Sequence, residues 1–142
     1  MTTPVPAPTP FPDIEAVLVP WIAAQLLAVF GVTARTCTST PANLADITPV
    51  VAVARSTGAD VLGILDRPIV DVDCFMPTRT GAGVLSEQVR TLFQRYLTGT
   101  VAGGAVIGMV NTVKGPGWLS YQDRDAERSN ATYEIYTHPA PA

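Results

Sequence analysis

The chain of 142 residues is rich in apolar side chains and poor in charge: 47 % of its residues are hydrophobic and 15 % are charged. This composition excludes an intrinsically disordered chain, and the length favours a single domain. The net charge is −3, and the nine basic residues form no run. We therefore expect no phosphate-binding patch and no nucleic acid as a main ligand. A surface with so little charge is expected to be covered in part by a partner protein.

The sequence contains no segment that we expect to cross a membrane or to direct secretion. Its longest apolar stretch, residues 14–30, is interrupted by Glu15, Pro20 and Gln25 and is shorter than the ~20 residues of a membrane span. No basic region precedes an apolar one at the N-terminus. Assembly in the cytoplasm is the expectation.

The two cysteines, Cys37 and Cys74, lie far apart in the sequence and outside any cluster of metal ligands. We predict that both are ordinary buried thiols in a reducing compartment.

Proline occupies every second position near the N-terminus: Pro4, Pro6, Pro8, Pro10 and Pro12. Alternating proline blocks both helix and strand hydrogen bonding, so residues 1–12 are predicted to form an extended, flexible arm. Residues 139–142 repeat this character and are predicted to form a flexible tail. A single domain is predicted at residues 13–138.

A first helix is predicted from the N-cap Asp13 to a stop at Gly31. Pro20 should kink or split this helix near Val19. Its apolar face recurs at helical spacing and comprises Ile14, Val17, Leu18, Trp21, Ile22, Ala28 and Val29.

The chain after this helix is predicted to form strands. They are placed at residues 32–36, 49–55, 61–65 and 69–76, with a loop at 38–46 and a turn around Gly58 at 56–60. The alternation is clearest at 69–76, where Asp71 and Asp73 share one face with Ile69 and Phe75.

A second helix, capped by Thr78 or Thr80, is predicted to run to about Leu97. Its apolar stripe comprises Val84, Leu85, Val89, Leu92, Phe93 and Tyr96. A strand at 105–114, a sharp turn at 115–117, a strand at 118–121, a charged hairpin loop at 122–128 and a closing strand at 131–137 follow.

This order of elements is helix, strands, helix, strands, which differs from a strict alternation of strand and helix. It predicts an α+β fold, in which a mainly antiparallel sheet carries the two helices on one face.

The side chains that usually carry catalysis are scarce. The single histidine, His138, lies in the proline-rich C-terminal segment, where no third group is expected to orient it as a base. Asp71 and Asp73 are the one close carboxylate pair inside a predicted strand, and such a pair can bind a cation or share a proton. A plain sheet surface, with Arg55 or Arg67 as cross-strand partner, is the alternative. The glycines match no phosphate-binding loop. No cofactor, metal or catalytic residue is predicted.

Two surfaces are candidates for contact with a partner. Trp118 and Tyr121 follow the Gly-Pro-Gly turn and can act as exposed anchors, although packing within the subunit is equally compatible with the sequence. Asp123 and Arg124 belong to the polar hairpin loop at 122–128, which with the loop at 38–46 is a candidate contact segment.

Several segments, in this order, resemble the tail terminator proteins of long-tailed bacteriophages, especially those that infect actinobacteria. They are residues 12–18, 49–53, 66–75 leading into a helix with 86–90, 104–108, 115–119 and a last strand that ends near His138. The 66–75 strand-to-helix segment and the Gly115-Pro116-Gly117-Trp118 turn are the most specific. The arm at residues 1–12 lies outside the pattern.

The resemblance implies a non-enzymatic virion protein that forms a ring, expected to be a hexamer, on the end of the tail tube. Such a ring stops tube polymerisation and docks to the head connector. The implied partners are further copies of the chain, the major tail tube protein and the connector or stopper protein, with DNA as passing cargo and no membrane. In such a ring Asp71 and Asp73 are predicted to face the lumen, where negative charge would keep the duplex from adhering.

Two alternatives remain open from the sequence. Another neck component, such as a head–tail adaptor, stopper or tail-completion protein, is also a small α+β ring subunit. A small enzyme or ligand-binding domain that uses Asp71 and Asp73 is the alternative of a different class.

Overall fold

A computed structural model describes residues 10–121 and 126–141. These residues form three helices and six strands, numbered in chain order. The helices are α1 (Ile14–Gln25), α2 (Leu44–Ile47) and α3 (Arg79–Leu92), and π-helical turns extend α1 through Leu26–Phe30 and α3 through Phe93–Leu97. The strands are β1 (Arg35–Cys37), β2 (Val50–Val61), β3 (Leu65–Met76), β4 (Val101–Ala102), β5 (Ala105–Leu119) and β6 (Glu127–Pro139).

All six strands lie in one sheet, in the order β1-β2-β3-β6-β5-β4. The β1–β2 pair is parallel and every other pair is antiparallel. The main hydrophobic core contains α1, α3 and the residues of one sheet face. The predicted α+β fold, with a mainly antiparallel sheet and two helices on one face, is confirmed.

The main core is built from alternate residues of the strands and the buried stripes of both helices. From β3 it receives Val70, Val72 and Cys74, and from β6 it receives Tyr133 and Ile135. The aromatic rings of Trp21, Phe93 and Tyr133 meet between the helices and the sheet. A smaller cluster on the opposite face is covered by α2 and comprises Leu44, Val50, Ala52, Phe75 and Ala126.

The α1 helix begins where the sequence predicts, since the Asp13 carboxylate accepts a hydrogen bond from the Glu15 amide at 3.0 Å. Of the two predicted effects of Pro20, a split of the helix is wrong, because α1 continues through this residue to Gln25. Pro20 lies on the exposed side of the helix, where water can satisfy the carbonyl that its missing N–H leaves free. The burial of Trp21 and Ile22 against the sheet holds the helix together across this point.

The predicted apolar face of this helix is correct up to Ile22 and wrong beyond it. Leu26 is buried, whereas Ala28 and Val29 are exposed. The π-helical turn at Leu26–Phe30 changes the rotation per residue, so the 3.6-residue period no longer identifies the inward side. Gly31 ends the helix in the left-handed conformation, as predicted.

The predicted turn at residues 56–60 and the separate strand at 61–65 are wrong. Strand β2 runs through this region to Val61, and the hairpin reverses at Leu62 and Gly63 instead. A β-bulge between Arg55 and Thr57 shifts the strand register, so Gly58 lies within the strand and does not form a turn. The predicted strand at 32–36 is shifted to Arg35–Cys37, and the predicted loop at 38–46 contains the start of α2.

The predicted sharp turn at residues 115–117 is also wrong, because β5 continues through it to Leu119. The register of β5 against β6 shifts between Ile107 and Met109 and twice more between Thr112 and Gly117. The Gly-Pro-Gly segment therefore forms bulges within a strand. Strand β6 is longer than predicted, and His138 belongs to it, paired with Val106.

The α3 helix starts at the predicted N-cap Thr78, whose hydroxyl accepts from the Gly81 amide at 3.0 Å. Its buried stripe contains Leu85, Val89, Leu92 and Phe93, as predicted. Val84 and Tyr96 were assigned to this stripe incorrectly, because both are exposed. None of the helices in the described ranges has both the length and the apolarity needed to span a bilayer.

Candidate functional site

The carboxylates of Asp71 and Asp73 lie side by side on the sheet face that points away from α1 and α3. Each accepts a hydrogen bond from the strand beside it. The Asp71 Oδ1 atom lies 2.6 Å from the Thr132 hydroxyl, and the Asp73 Oδ1 atom lies 2.7 Å from the Asn130 side-chain nitrogen. Both donors come from β6, which pairs with β3 in the register that sets these residues opposite one another.

Basic side chains flank this acidic pair. The guanidinium of Arg128 is 3.9 Å from Asp73, and the Lys114 ammonium donates to the Asn130 oxygen at 3.3 Å. The pair is thus held in a cross-strand polar network that extends over β3, β6 and β5. Within residues 10–121 and 126–141, no three His, Cys, Asp or Glu side chains converge as metal ligands would.

The predicted cross-strand partners of the acidic pair bind other carboxylates. Arg55 makes two hydrogen bonds to Asp66, at 2.7 and 2.8 Å, and Arg67 lies 3.7 Å from Glu134. The hydrogen bonds to the buried Asp66 raise the pKa of the Arg55 guanidinium. The predicted pairing of Arg55 or Arg67 with the acidic pair failed because it depends on the strand register, which the bulge after Arg55 shifts, and on the direction in which a long side chain extends.

A groove of about 570 Å³ separates the exposed side of α3 from the end of β5. Its apolar walls are formed by Phe30, Val84, Pro116 and Trp118, and Arg79 and Glu87 add charge. A volume of this size falls in the range of about 300–1,000 Å³ that is typical of binding pockets. Sequence reasoning placed Val84 in the core and therefore missed this surface.

Trp118 is held in a fixed position in the groove wall. Its indole nitrogen donates to Glu127 at 2.8 Å, and the Arg79 guanidinium lies 4.8 Å from its ring centroid. With 46 % of its surface exposed, the ring is accessible from solvent although its polar contacts fix its orientation. Tyr121 differs, since its ring packs edge-on against buried Phe75 at 5.1 Å. Asp123 and Arg124 lie outside the described residues.

The tip of the β2–β3 hairpin presents two large aliphatic side chains to solvent. Leu62 is 89 % exposed and Ile64 is 67 % exposed. The sequence signal was present, since Leu62-Gly63-Ile64 sets a glycine within an apolar run. That run was interpreted as a strand, which hid the turn.

Both cysteines are free thiols, and they differ in accessibility. Cys74 is completely buried, and burial raises its pKa to about 12, whereas Cys37 is partly accessible with a pKa that burial also raises. We expect a thiol reagent at pH 8 to modify Cys37 alone in the folded protein and both thiols after denaturation. Cys37→Ser should abolish labelling of the folded chain, and rapid labelling of that variant would contradict the burial of Cys74.

The buried thiol of Cys74 makes the stability of the fold depend on pH in the alkaline range. An unfolded thiol ionises near pH 9, whereas Cys74 stays protonated up to about pH 12. Its contribution to stability is therefore complete below pH 9 and is lost as the pH rises from 9 towards 12.

No family model and no curated protein sequence matches the chain. Solved structures do match it. One is a chain of the structure described as the virion of a native gene transfer agent (GTA) particle, with a TM-score of 0.53 and 10 % sequence identity. The match covers 88 % of this chain and 94 % of that chain. At this identity the likeness shows a shared fold.

Proposed function

We propose that the chain is a structural protein of a virion, and that it closes the tail tube of a long-tailed bacteriophage as a ring. The observation that carries the proposal is the fold shared, over nearly the full length of both chains, with a component of a gene transfer agent virion. The segments that resemble tail terminators support the specific position at the end of the tube.

The surface of the subunit suits a ring. A ring with two different ends requires heterologous contacts, in which each copy offers two unlike patches. The described residues present apolar patches in two separate places, at the Leu62–Ile64 tip and along the groove that contains Val84 and Trp118. Such patches on a small subunit are typical of protein contact sites.

The proposed partners are other copies of the chain, the tail tube protein and the head connector or stopper. A hexamer would match a six-fold tube, and the finished ring would reside at the neck of the particle. DNA would cross its lumen as cargo.

Purified protein examined by negative-stain electron microscopy and native mass spectrometry should show closed rings. Added to polymerising tube protein, these rings should bind to tube ends and limit tube length. A persistently monomeric chain that leaves tube growth unchanged would refute the proposal. Binding to the portal or connector instead of the tube would assign the chain to another neck component.

We further propose that Asp71 and Asp73 line the lumen and weaken contact with DNA. Asparagine at both positions keeps the oxygen that accepts from Thr132 or Asn130, so we expect folding and ring assembly to persist. Loss of two negative charges per subunit should increase retention of short duplex DNA by the rings at low salt.

Single variants of the two lumen positions can be compared with Asp46→Asn, which removes the same charge from α2. If Asp71→Asn, Asp73→Asn and Asp46→Asn rings retain DNA equally, Asp71 and Asp73 have no specific effect on DNA contact. Disassembly of the Asp71→Asn/Asp73→Asn ring would show that the pair is needed for structure instead.

A further inference from the structure

The β2–β3 hairpin turns through two residues with positive φ angles. Leu62 has φ 53° and Gly63 has φ 68°, and the Ile64 amide donates to the Val61 carbonyl at 3.0 Å. Val61 to Ile64 thus form a β-turn with positive φ at both central residues, as in the type I′ class, which strongly favours asparagine or glycine at the first of them. The turn lies in a three-residue loop, because Val61 pairs with Leu65. Leucine in that conformation is unfavourable, because its Cβ crowds the following carbonyl.

Nothing among the described residues compensates for this leucine. Its side chain is almost fully exposed, and Ile64 beside it is largely exposed. Within the turn, the Asp60 carboxylate accepts a hydrogen bond from the Gly63 amide at 2.8 Å. A strained and exposed apolar tip indicates a contact made outside the subunit.

The groove beside α3 has the complementary chemistry. Val84, 55 % exposed, and Trp118 supply apolar walls that can receive aliphatic side chains. Arg79 at the groove and Asp60 at the tip carry opposite charges, and neither forms a salt bridge within the described part of the chain. Docking the tip in the groove would bring this pair together at its rim.

The tip cannot reach the groove of its own subunit. Strand β3 leads away from the tip at Leu65 to Met76, which pairs with Glu127 at the groove end of the sheet. Twelve strand residues span roughly 36–40 Å. A hairpin tip that enters the groove must therefore come from another molecule, and a second copy carries such a tip.

We propose that Leu62 and Ile64 of each subunit insert into the Val84–Trp118 groove of the next copy. Because the two surfaces differ, this heterologous contact would set the direction in which subunits join. That the contacts close into a ring rests on the proposed function.

The first test is Leu62→Asn, which separates the effect of residue 62 on the turn from its effect on assembly. Asparagine suits the turn, so the melting temperature of the dissociated subunit should rise. Assembly should weaken by about tenfold or more, because the buried leucine contact is lost. Val113→Thr, which changes an exposed apolar residue on β5, is the control and should leave assembly unchanged. Unchanged assembly of Leu62→Asn would overturn the inference.

The second test traps the contact covalently in a Cys37→Ser background. Mixing a Leu62→Cys chain with a Val84→Cys chain should give disulfide-linked dimers, whereas each chain alone should give none. The double variant should give a ladder of linked species that ends at the ring copy number.

The outcomes distinguish this contact from the function on which it rests. Rings without the 62–84 crosslink would overturn the inference and leave the proposed function standing. Dimers crosslinked at 62–84 without rings would support the contact and count against a ring. If deletion of residues 1–9 breaks the rings, Leu62→Asn leaves them intact and no 62–84 crosslink forms, the inference is overturned.

Discussion

Alanine in place of Phe93 is expected to lower the free energy of unfolding by about 3–5 kcal/mol. The Phe93 ring is completely buried, with its centroid 4.6 Å from that of Tyr133 and 6.1 Å from that of Trp21. Alanine would leave a cavity between helix and sheet and remove both aromatic contacts. Urea unfolding of the dissociated subunit, followed by tryptophan fluorescence, would measure the loss.

The matched control is Tyr96→Ala, three residues further along the same π-helical turn. Tyr96 is 48 % exposed, so its removal should change stability by about 0.5 kcal/mol or less. Similar losses for the two variants would contradict the assignment of the inward side of this turn.

Alanine at Gly58 is expected to destabilise the subunit by about 3 kcal/mol or more. Gly58 has φ +124°, a conformation that L side chains rarely adopt. A Cβ atom there would overlap the Arg67 carbonyl oxygen and approach the Pro68 Cα atom to 2.7 Å. Both obstacles are backbone, so no side-chain rotation relieves them, and the hairpin must deform. Thermal unfolding of the purified variant would show the loss.

Gly31→Ala is the control for backbone conformation alone. Gly31 has φ +68°, and no atom lies within 4 Å of the position that a Cβ atom would take there. Its replacement should cost about 1–2 kcal/mol, the penalty for the left-handed conformation. A Gly58→Ala variant no less stable than Gly31→Ala would show that the close approach in the hairpin is absent.

Sequence periodicity predicted the elements that are half-buried along their whole length. The alternation in residues 69–76 separated the two sides of β3, because this strand faces the helices on one side and a largely polar surface on the other. The N-caps Asp13 and Thr78 were also correct, since capping depends on a few adjacent residues.

Local breaking signals were the main source of error. Pro20, Gly58 and the segment 115–117 each predicted an interruption, yet each lies inside a continuous element. Burial of the flanking residues favours the longer element, and a bulge or a solvent-facing carbonyl accommodates the irregular residue. Tertiary packing of this kind is invisible in a local window.

For the candidate surfaces, too, the sequence predicts local features and misses those that depend on the folded chain. The shared face of Asp71 and Asp73 follows from their spacing, but their hydrogen bonds to Thr132 and Asn130 depend on pairing across about 60 residues of sequence. The groove could not be predicted, because α3 and the end of β5 meet only in the folded chain. A single positive-φ leucine has no sequence signature other than the glycine that follows it.

The long outer strands of the sheet carry irregularities that limit how copies can join. β2 is bulged beyond Arg55, whose amide is already taken by the Glu15 carboxylate at 2.9 Å, and β5 is interrupted three times and contains Lys114 and Pro116. A foreign strand laid along either border would lose hydrogen bonds at every interruption. Fibril-like growth by sheet extension is thereby discouraged, so unassembled subunits can accumulate without aggregating edge to edge.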